Sequence, residues 1–406
     1  MENNTPLKRT LSLPQMILYG LGTTIGAGIY ALVGELADIS GYLAPAAFLF
    51  AALLAGLTAL SFAELSCRYP RAAGAALYTQ QGFHSHKLTI IVGLLVITAG
   101  LVSSAALING FSGYLNHITT LDRSTSIIIV SLFLIGIAVY GIAESIFLAS
   151  LITVIEVGGL VWIIFVGHDA LNQLPEIGSY MIPDFTLASF GVIFAGALLA
   201  FYAFIGFEDM VDVAEEVENV KRNLPLAILF TLGITTLLYM LIMVIAVASM
   251  PPEELAQSKA PLATLFTLHT GQPATIISMI GMLAIINGSL IQIIMASRVI
   301  YGLSSRHQLP AVLSYVNPKT QTPVIATVLA GLVVLLLALI GHLSTLAEIT
   351  SFIMLMVFSL VNLALWRIKR HEPAPEDCII FPPWISLLAF LVSSGFVILE
   401  ITKAII

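Results

Sequence analysis

The stretch Tyr19–Gly34, YGLGTTIGAGIYALVG, decides how this chain is read. Its flanks are apolar enough to cross a bilayer as a helix. Its centre holds Gly22, Thr23, Thr24, Gly26 and Gly28 within seven residues. Glycine inside a helix costs about 1 kcal/mol relative to alanine, and a backbone without side chains lets another group come close. Two readings stand side by side. Small residues let membrane helices pack tightly. Alternatively, the helix opens at Gly26-Ala27-Gly28 and offers its peptide groups to a ligand.

Composition fixes the solvent. The chain has 406 residues, 58% hydrophobic and 10% charged, where a soluble domain carries about 25% charged residues. It cannot cover its surface with polar groups, so lipid is its solvent. The formal net charge of −7 is mild and no long basic run occurs, so nucleic acid is not an expected partner. There is no P-loop, nucleophile elbow or Cys/His cluster with metal spacing. No enzyme activity, metal or other cofactor is expected. The first apolar run is too long for a cleaved signal and has no convincing cleavage site.

About 20 apolar residues suffice to cross the hydrocarbon core. Eleven such spans are expected: 13–34, 42–66, 88–114, 126–143, 147–167, 187–207, 224–250, 275–303, 323–340, 343–366 and 379–399. The fold class is therefore an all-α integral membrane protein. Tight connections at Glu144–Ser145 and Gly341–His342 make two antiparallel hairpins. With the N-terminus inside, 13 of the 16 basic residues fall on the cytoplasmic side; only Arg123, Lys259 and Lys403 fall outside. That asymmetry follows the positive-inside rule and puts the C-terminus outside, in a cell membrane. Cys67 and Cys378 both land on the cytoplasmic side, where a disulfide is not expected.

A second weak point lies in the sixth span, which ends FYAFIGFEDMVDVAEEVENVKRN (201–223). Two readings are open: a helix that breaks near Phe204–Gly206 and restarts, or a span ending at Phe207 before a solvated helix. Gly26 and Gly206 are 180 residues apart. Spans one to five occupy 13–167 and spans six to ten occupy 187–366, after a tail over 1–12 and before an extra helix within 379–406. Five is odd, so the second copy enters the membrane upside down. Broken spans in matching positions of inverted halves point to a transporter's binding site.

At these residues the chain resembles the amino acid–polyamine–organocation superfamily of secondary transporters. GLGTTIGAGIYALVG is similar to its first-helix glycine motif. FAELSCRYPRAAGAALY (62–78) is similar to its first cytoplasmic loop, FYAFIGFEDMVDVAEEVENVKRNLPLAI to its sixth helix and the loop after it, and ASRVIYGLSSRHQLP (296–310) to the end of its eighth helix. The flavour is that of bacterial amino-acid permeases and the cationic amino-acid transporter group. The resemblance implies a ten-helix core of two inverted five-helix repeats, with helices one and six unwound at mid-membrane. It implies that the N–H groups of Gly26, Ala27 and Gly28 hold a substrate carboxylate. The carbonyls of Thr24, Ala203 and Ile205 would hold the ammonium, and Tyr202 would gate the pocket. Most relatives have twelve helices where eleven are read in this chain.

Glu156 departs from the family, which often has lysine in this context of the fifth span. A charge at the centre of a membrane helix costs at least about 2.5 kcal/mol. Three readings stay open: a proton-coupling carboxylate, a ligand to a cation such as Na⁺ together with Ser289, or a structural acid. Glu208, just past Gly206, is either a gating acid or one that satisfies a helix dipole. Glu64, Arg68, Arg71 and Arg298 read as ion pairs near helix ends, and Asn109 and Asn287 as interhelical hydrogen-bonding partners.

The expected function is secondary transport of amino acids or related amines by alternating access, with H⁺ preferred to Na⁺ as the coupling ion. The Phe/Tyr/Ile-lined sixth helix points to neutral or broad specificity. An exchanger or Na⁺-coupled carrier is the alternative, and a transport-inactive sensor or a channel belongs to a different class. Monomer and homodimer both fit.

Overall fold

The structure is a computed structural model that describes residues 9–26, 28–71, 74–140, 146–184, 186–305 and 309–405. Lys8, Ala27, the Glu144–Ser145 connection, Arg306 and His307 lie outside the described residues. The helices are α1 Leu13–Ile25, α2 Gly28–Ser40, α3 Ala44–Arg68, α4 Gly74–Phe83, α5 His86–Ile118, α6 Arg123–Tyr140, α7 Ile146–Gly167, α8 Leu174–Ile177, α9 Leu187–Tyr202, α10 Val220–Ser249, α11 Pro252–Ala256, α12 Pro261–Thr270, α13 Thr275–Ser305, α14 Val324–Ile340, α15 Leu343–His371 and α16 Pro383–Ile405. A 3-10 segment, Phe207–Glu216, continues α9 past its end. The described residues contain no strand, only an isolated parallel bridge between Leu11 and Val217.

Among the described residues nine apolar helical segments are long enough to cross a membrane, and α14 is a shorter apolar helix. The first, Leu13–Arg68, runs for 56 residues through α1, α2 and α3. Helix starts carry local caps. Thr186 Oγ1 accepts from Ser189 N at 3.2 Å ahead of α9, and Asp122 Oδ2 accepts from Thr125 N at 3.1 Å ahead of α6. Such contacts satisfy N–H groups that a helix leaves without partners. Large apolar side chains such as Leu132, Phe133, Phe165 and Leu391 point outward. This is the arrangement of a multi-pass membrane protein, whose solvent is as apolar as its core.

Helices from the earlier and later parts of the chain pack on one another. α3 packs on α10, α5 on α13 and α6 on α14. Each partner is the element five spans further along. Other contacts recur in mirrored pairs: α1 with α7 and α9 with α15, α1 with α10 and α9 with α3, α7 with α13 and α15 with α5. The short connecting helices follow suit. α4 lies against α5, α15 and the 3-10 segment, whereas α12 lies against α13, α7 and α2.

One expectation is corrected at the end of the bundle that carries Arg68 and Lys369. Cys67 and Cys378 form a disulfide, with their Cα atoms 5.7 Å apart. The compartment argument overlooked how the 372–382 segment folds back on α3. Glu64, buried at the end of α3, accepts from Arg68 Nε at 3.0 Å and from the Phe381 N–H at 3.0 Å, and pairs with Lys369 Nζ at 2.6 Å. Tyr69 Oη donates to Glu372 at 2.6 Å. These bonds draw Cys378 onto the last turn of α3.

Candidate binding site at two crossed helix breaks

Both weak points seen in the sequence are breaks. α1 stops at Ile25 and α2 starts at Gly28; between them Gly26 has φ 28° and ψ −135°, a conformation that a side chain disfavours. α9 stops at Tyr202, and Gly206 takes φ 123° before the 3-10 segment begins. The breaks cross in contact. A Cβ on Gly206 would collide with the Thr23 carbonyl, and one on Gly28 would lie 3.0 Å from Ala203 Cα.

The crossing encloses a cavity of about 40 Å³, lined by Thr23, Thr24, Gly26, Gly28, Ser103, Leu107, Tyr202, Ile205, Gly288 and Gln292. Its lining holds no Asp, Glu, Lys, Arg or His. Ser103, Ile205 and Gln292 also line a second small cavity, which reaches Glu208 and Asp209. Those two acids in turn line a vestibule of about 510 Å³ beside α4. The cavities thus form one path from the crossing to one end of the bundle.

The backbone groups freed by the breaks are met unequally. Tyr239, on α10, places its hydroxyl 3.1 Å from the Thr24 carbonyl, 3.3 Å from that of Ile25 and 3.1 Å from that of Ala203. One proton serves three acceptors, so lone pairs remain for a second donor. In the second break, the N–H groups of Ala203, Phe204 and Ile205 donate to carbonyls three residues back. The Gly206 N–H donates to Glu208 Oε2 at 2.8 Å. At the first break, the opening turn of α2 has N–H groups with no intrahelical acceptor, at the positive end of its dipole. The site therefore combines donors suited to an anion with acceptors suited to a cation.

Of the residues expected at the site, Thr24, Gly26, Gly28, Tyr202 and Ile205 line the cavity, and Ala203 contributes a carbonyl beside it. Ala27 is outside the described residues. Tyr202 Oη lies 3.0 Å from Ser103 Oγ. Glu208 lines the path below. Glu156 and Ser289 are fully buried but do not line the cavity. Glu156 lies behind it on α7, where Tyr30 Oη donates to its main-chain carbonyl at 2.7 Å. Of the Phe, Tyr and Ile residues of the sixth span, Tyr202 and Ile205 line the cavity and Phe201 and Phe204 do not. Phe201 stacks edge-on against Phe358, and Phe204, past the end of α9, packs on Phe48 and Tyr239. Tyr239, Gln292 and Ser103 escaped the sequence reading. A tyrosine in an apolar span looks like core, although its polar tip needs a partner wherever it is buried.

Residues 11–402 match the amino acid permease family. The chain belongs to that family. Among curated relatives, the vacuolar cationic amino acid transporter 2 of Arabidopsis thaliana is 31% identical over 395 residues, which is 91% of this chain and 61% of the relative. The branched-chain amino acid permease BcaP of Bacillus subtilis is 27% identical over 390 residues, 90% of this chain and 82% of the relative. Cationic amino acid transporter 4 of Homo sapiens is 26% identical, covering 92% and 62%. Against the first three relatives, the plant transporters, the chain spans 61%, 64% and 66% of their length.

Proposed function

We propose that this permease carries an amino acid or related amine across the membrane by alternating access, coupled to protons. The observation that carries the reading is the crossing of two helix breaks around a small cavity. An α-amino acid presents one anion and one cation a few ångströms apart. The start of α2 attracts the carboxylate through the N–H groups of Gly26, Ala27 and Gly28. The carbonyls of Thr24, Ala203 and Ile205 attract the ammonium, and Tyr202 closes the cavity from the side. The mirrored packing of spans supports two inverted five-helix halves, 13–167 and 187–366, that move against each other. A path that widens toward one end of the bundle fits a carrier caught open to that side. We read that end as cytoplasmic, with the N-terminus on it, the C-terminus opposite and the chain in the cell membrane.

Glu156 is our candidate for the coupling proton. A buried carboxylate on the helix packed behind the first break is placed to bias that break by its charge. Glu208 is the candidate gate below the cavity.

Reconstituted vesicles test this directly, using a panel of labelled neutral and cationic amino acids with and without an inward proton gradient. Saturable uptake that rises with the gradient is expected, and Glu156→Gln should lose the gradient dependence while retaining binding. Flux that never saturates, or no flux of any panel member, would sink the carrier reading. Wild-type uptake indifferent to the gradient would sink proton coupling alone.

A further inference from the structure

A second hollow lies away from the transport path, where the N-terminal segment meets the start of α10. It has a volume of about 530 Å³, and its walls include Arg9, Asn219, Lys221, Arg222 and Asp377. Three cations from two distant stretches of chain therefore face one space. The backbone holds them there. Thr10 N and Leu11 N donate to the Glu216 carbonyl at 2.9 and 3.0 Å, and Glu218 N donates to the Leu11 carbonyl at 2.9 Å. This strap fixes Arg9 beside the turn that opens α10.

The charge in the hollow is poorly balanced. Asp377 approaches Lys221 at 3.8 Å, with side chains 82% and 50% exposed, and an open pair of this kind contributes little. Among the described residues neither Arg9 nor Arg222 has an ion pair or a side-chain hydrogen bond. Asn219 sits at φ 45° without capping α10 by its side chain; its carbonyl takes the N–H groups of Arg222 and Asn223, which leaves those of Val220 and Lys221 at the helix start without an intrahelical acceptor. Two free guanidinium groups, an ammonium and a helix start form a donor set for phosphate oxygens.

α10 carries an exposed apolar face past the turn that lines the hollow. On α10, positions 223, 226, 230, 233 and 237 recur at helical spacing. Phe230 and Leu237 on that face are 52% and 61% exposed, and Gly233 between them has open space where a side chain would be. An exposed apolar strip thus runs along α10 from the turn that holds Arg222. A free phosphate would use only the cations, whereas a lipid uses both.

We propose that this hollow binds the phosphodiester headgroup of an anionic phospholipid, with an acyl chain lying along Phe230, Gly233 and Leu237. The site is separate from the transport cavity, so it does not depend on what the permease carries. Basic groups next to a membrane gain about fivefold in anionic-lipid affinity each. Lipid binding to the purified protein, followed by native mass spectrometry, is the measurement, with phosphatidylglycerol titrated against phosphatidylcholine. The wild type should prefer phosphatidylglycerol, and Arg9→Gln/Arg222→Gln should weaken that preference about 25-fold. The substituted side chains are exposed, and an unchanged melting temperature would verify that the variant is folded. Lys319→Gln, an exposed change elsewhere, should leave the preference intact. No preference in the wild type, an unchanged preference in the double variant, or an equal loss in Lys319→Gln would each overturn the site. Displacement of the lipid by millimolar inorganic phosphate would overturn the lipid as occupant.

Discussion

The breaks at Gly26 and Gly206 are alike in position and opposite in chemistry. The first is abrupt: one helix ends at Ile25 and another begins at Gly28, with Gly26 at positive φ between them. The second tapers, its N–H groups consumed by tight turns and by Glu208. The first therefore keeps donors open, and the second mainly offers carbonyls. They also bear steric load differently. A side chain at Gly26 would meet only ordinary contacts, Gly22 O at 3.6 Å and Thr23 O at 3.8 Å, so its φ is the sole obstacle. A side chain at Gly206 would strike the backbone of the other break. The second break is thus the one on which the crossing rests, and the first is the one left receptive.

The largest effect should separate the two glycines. Gly206→Ala faces both a disfavoured φ and a collision with backbone that cannot swing aside. It should cost more than about 3 kcal/mol and abolish folded protein in membranes or all uptake. Gly26→Ala faces φ alone and should cost about 1–3 kcal/mol, giving folded protein with impaired uptake. Thermal melting in detergent, run beside uptake, reads both. Equal damage from the two changes would break the comparison.

Much of this was legible in sequence, and the reasons are specific. Glycines and threonines at the centre of an apolar span are conspicuous because they oppose the helix around them. The choice between a packing motif and an opening was posed as either/or, yet the structure uses the glycines for both. Gly206 turns the chain into the 3-10 segment and also lets Thr23 sit on its Cα. Spans were legible because lipid enforces long apolar runs. What stayed hidden was tertiary. Tyr239 reaches its three carbonyls from α10, and no local pattern announces it. Gln292 becomes a wall of the cavity only when α13 lies beside α5. The Cys67–Cys378 bond depends on a loop drawn back by Glu64, which neither cysteine's neighbours reveal.

Glu208 sharpens the comparison next, since it caps the second break and has no counterpart at the first. Glu208→Ala leaves the Gly206 N–H buried without its acceptor, at about 1–3 kcal/mol. Glu208→Gln keeps an acceptor and should melt closer to wild type. If both variants melt alike, the carboxylate is not a cap and its role lies wholly in the path below.

Tyr239 hydrogen-bonds carbonyls of both breaks, so its loss should weaken them together. Tyr239→Phe removes a single donor and should cost about 1 kcal/mol. The informative number is the coupling. In a double variant with Gly26→Ala, shared partners predict an energy that departs from the sum of the single effects by more than about 0.5 kcal/mol. Simple additivity would mean that the hydroxyl does not join the two breaks mechanically.

The smallest expected effect carries the sharpest sign. Thr24 is buried at the end of the first break, and its Oγ1 has no hydrogen-bond partner among the described residues. A hydroxyl buried in that way costs the ligand-free fold free energy. Valine has nearly the same shape without the polar atom. Thr24→Val should therefore leave the ligand-free protein as stable as wild type or slightly more so, by up to about 1 kcal/mol. If the hydroxyl waits for a substrate atom, the same change should raise KM and shrink the gain in melting temperature that a transported amino acid confers. Loss of stability without any change in KM would show that the hydroxyl serves the fold, and that receptivity at the first break resides in its peptide groups.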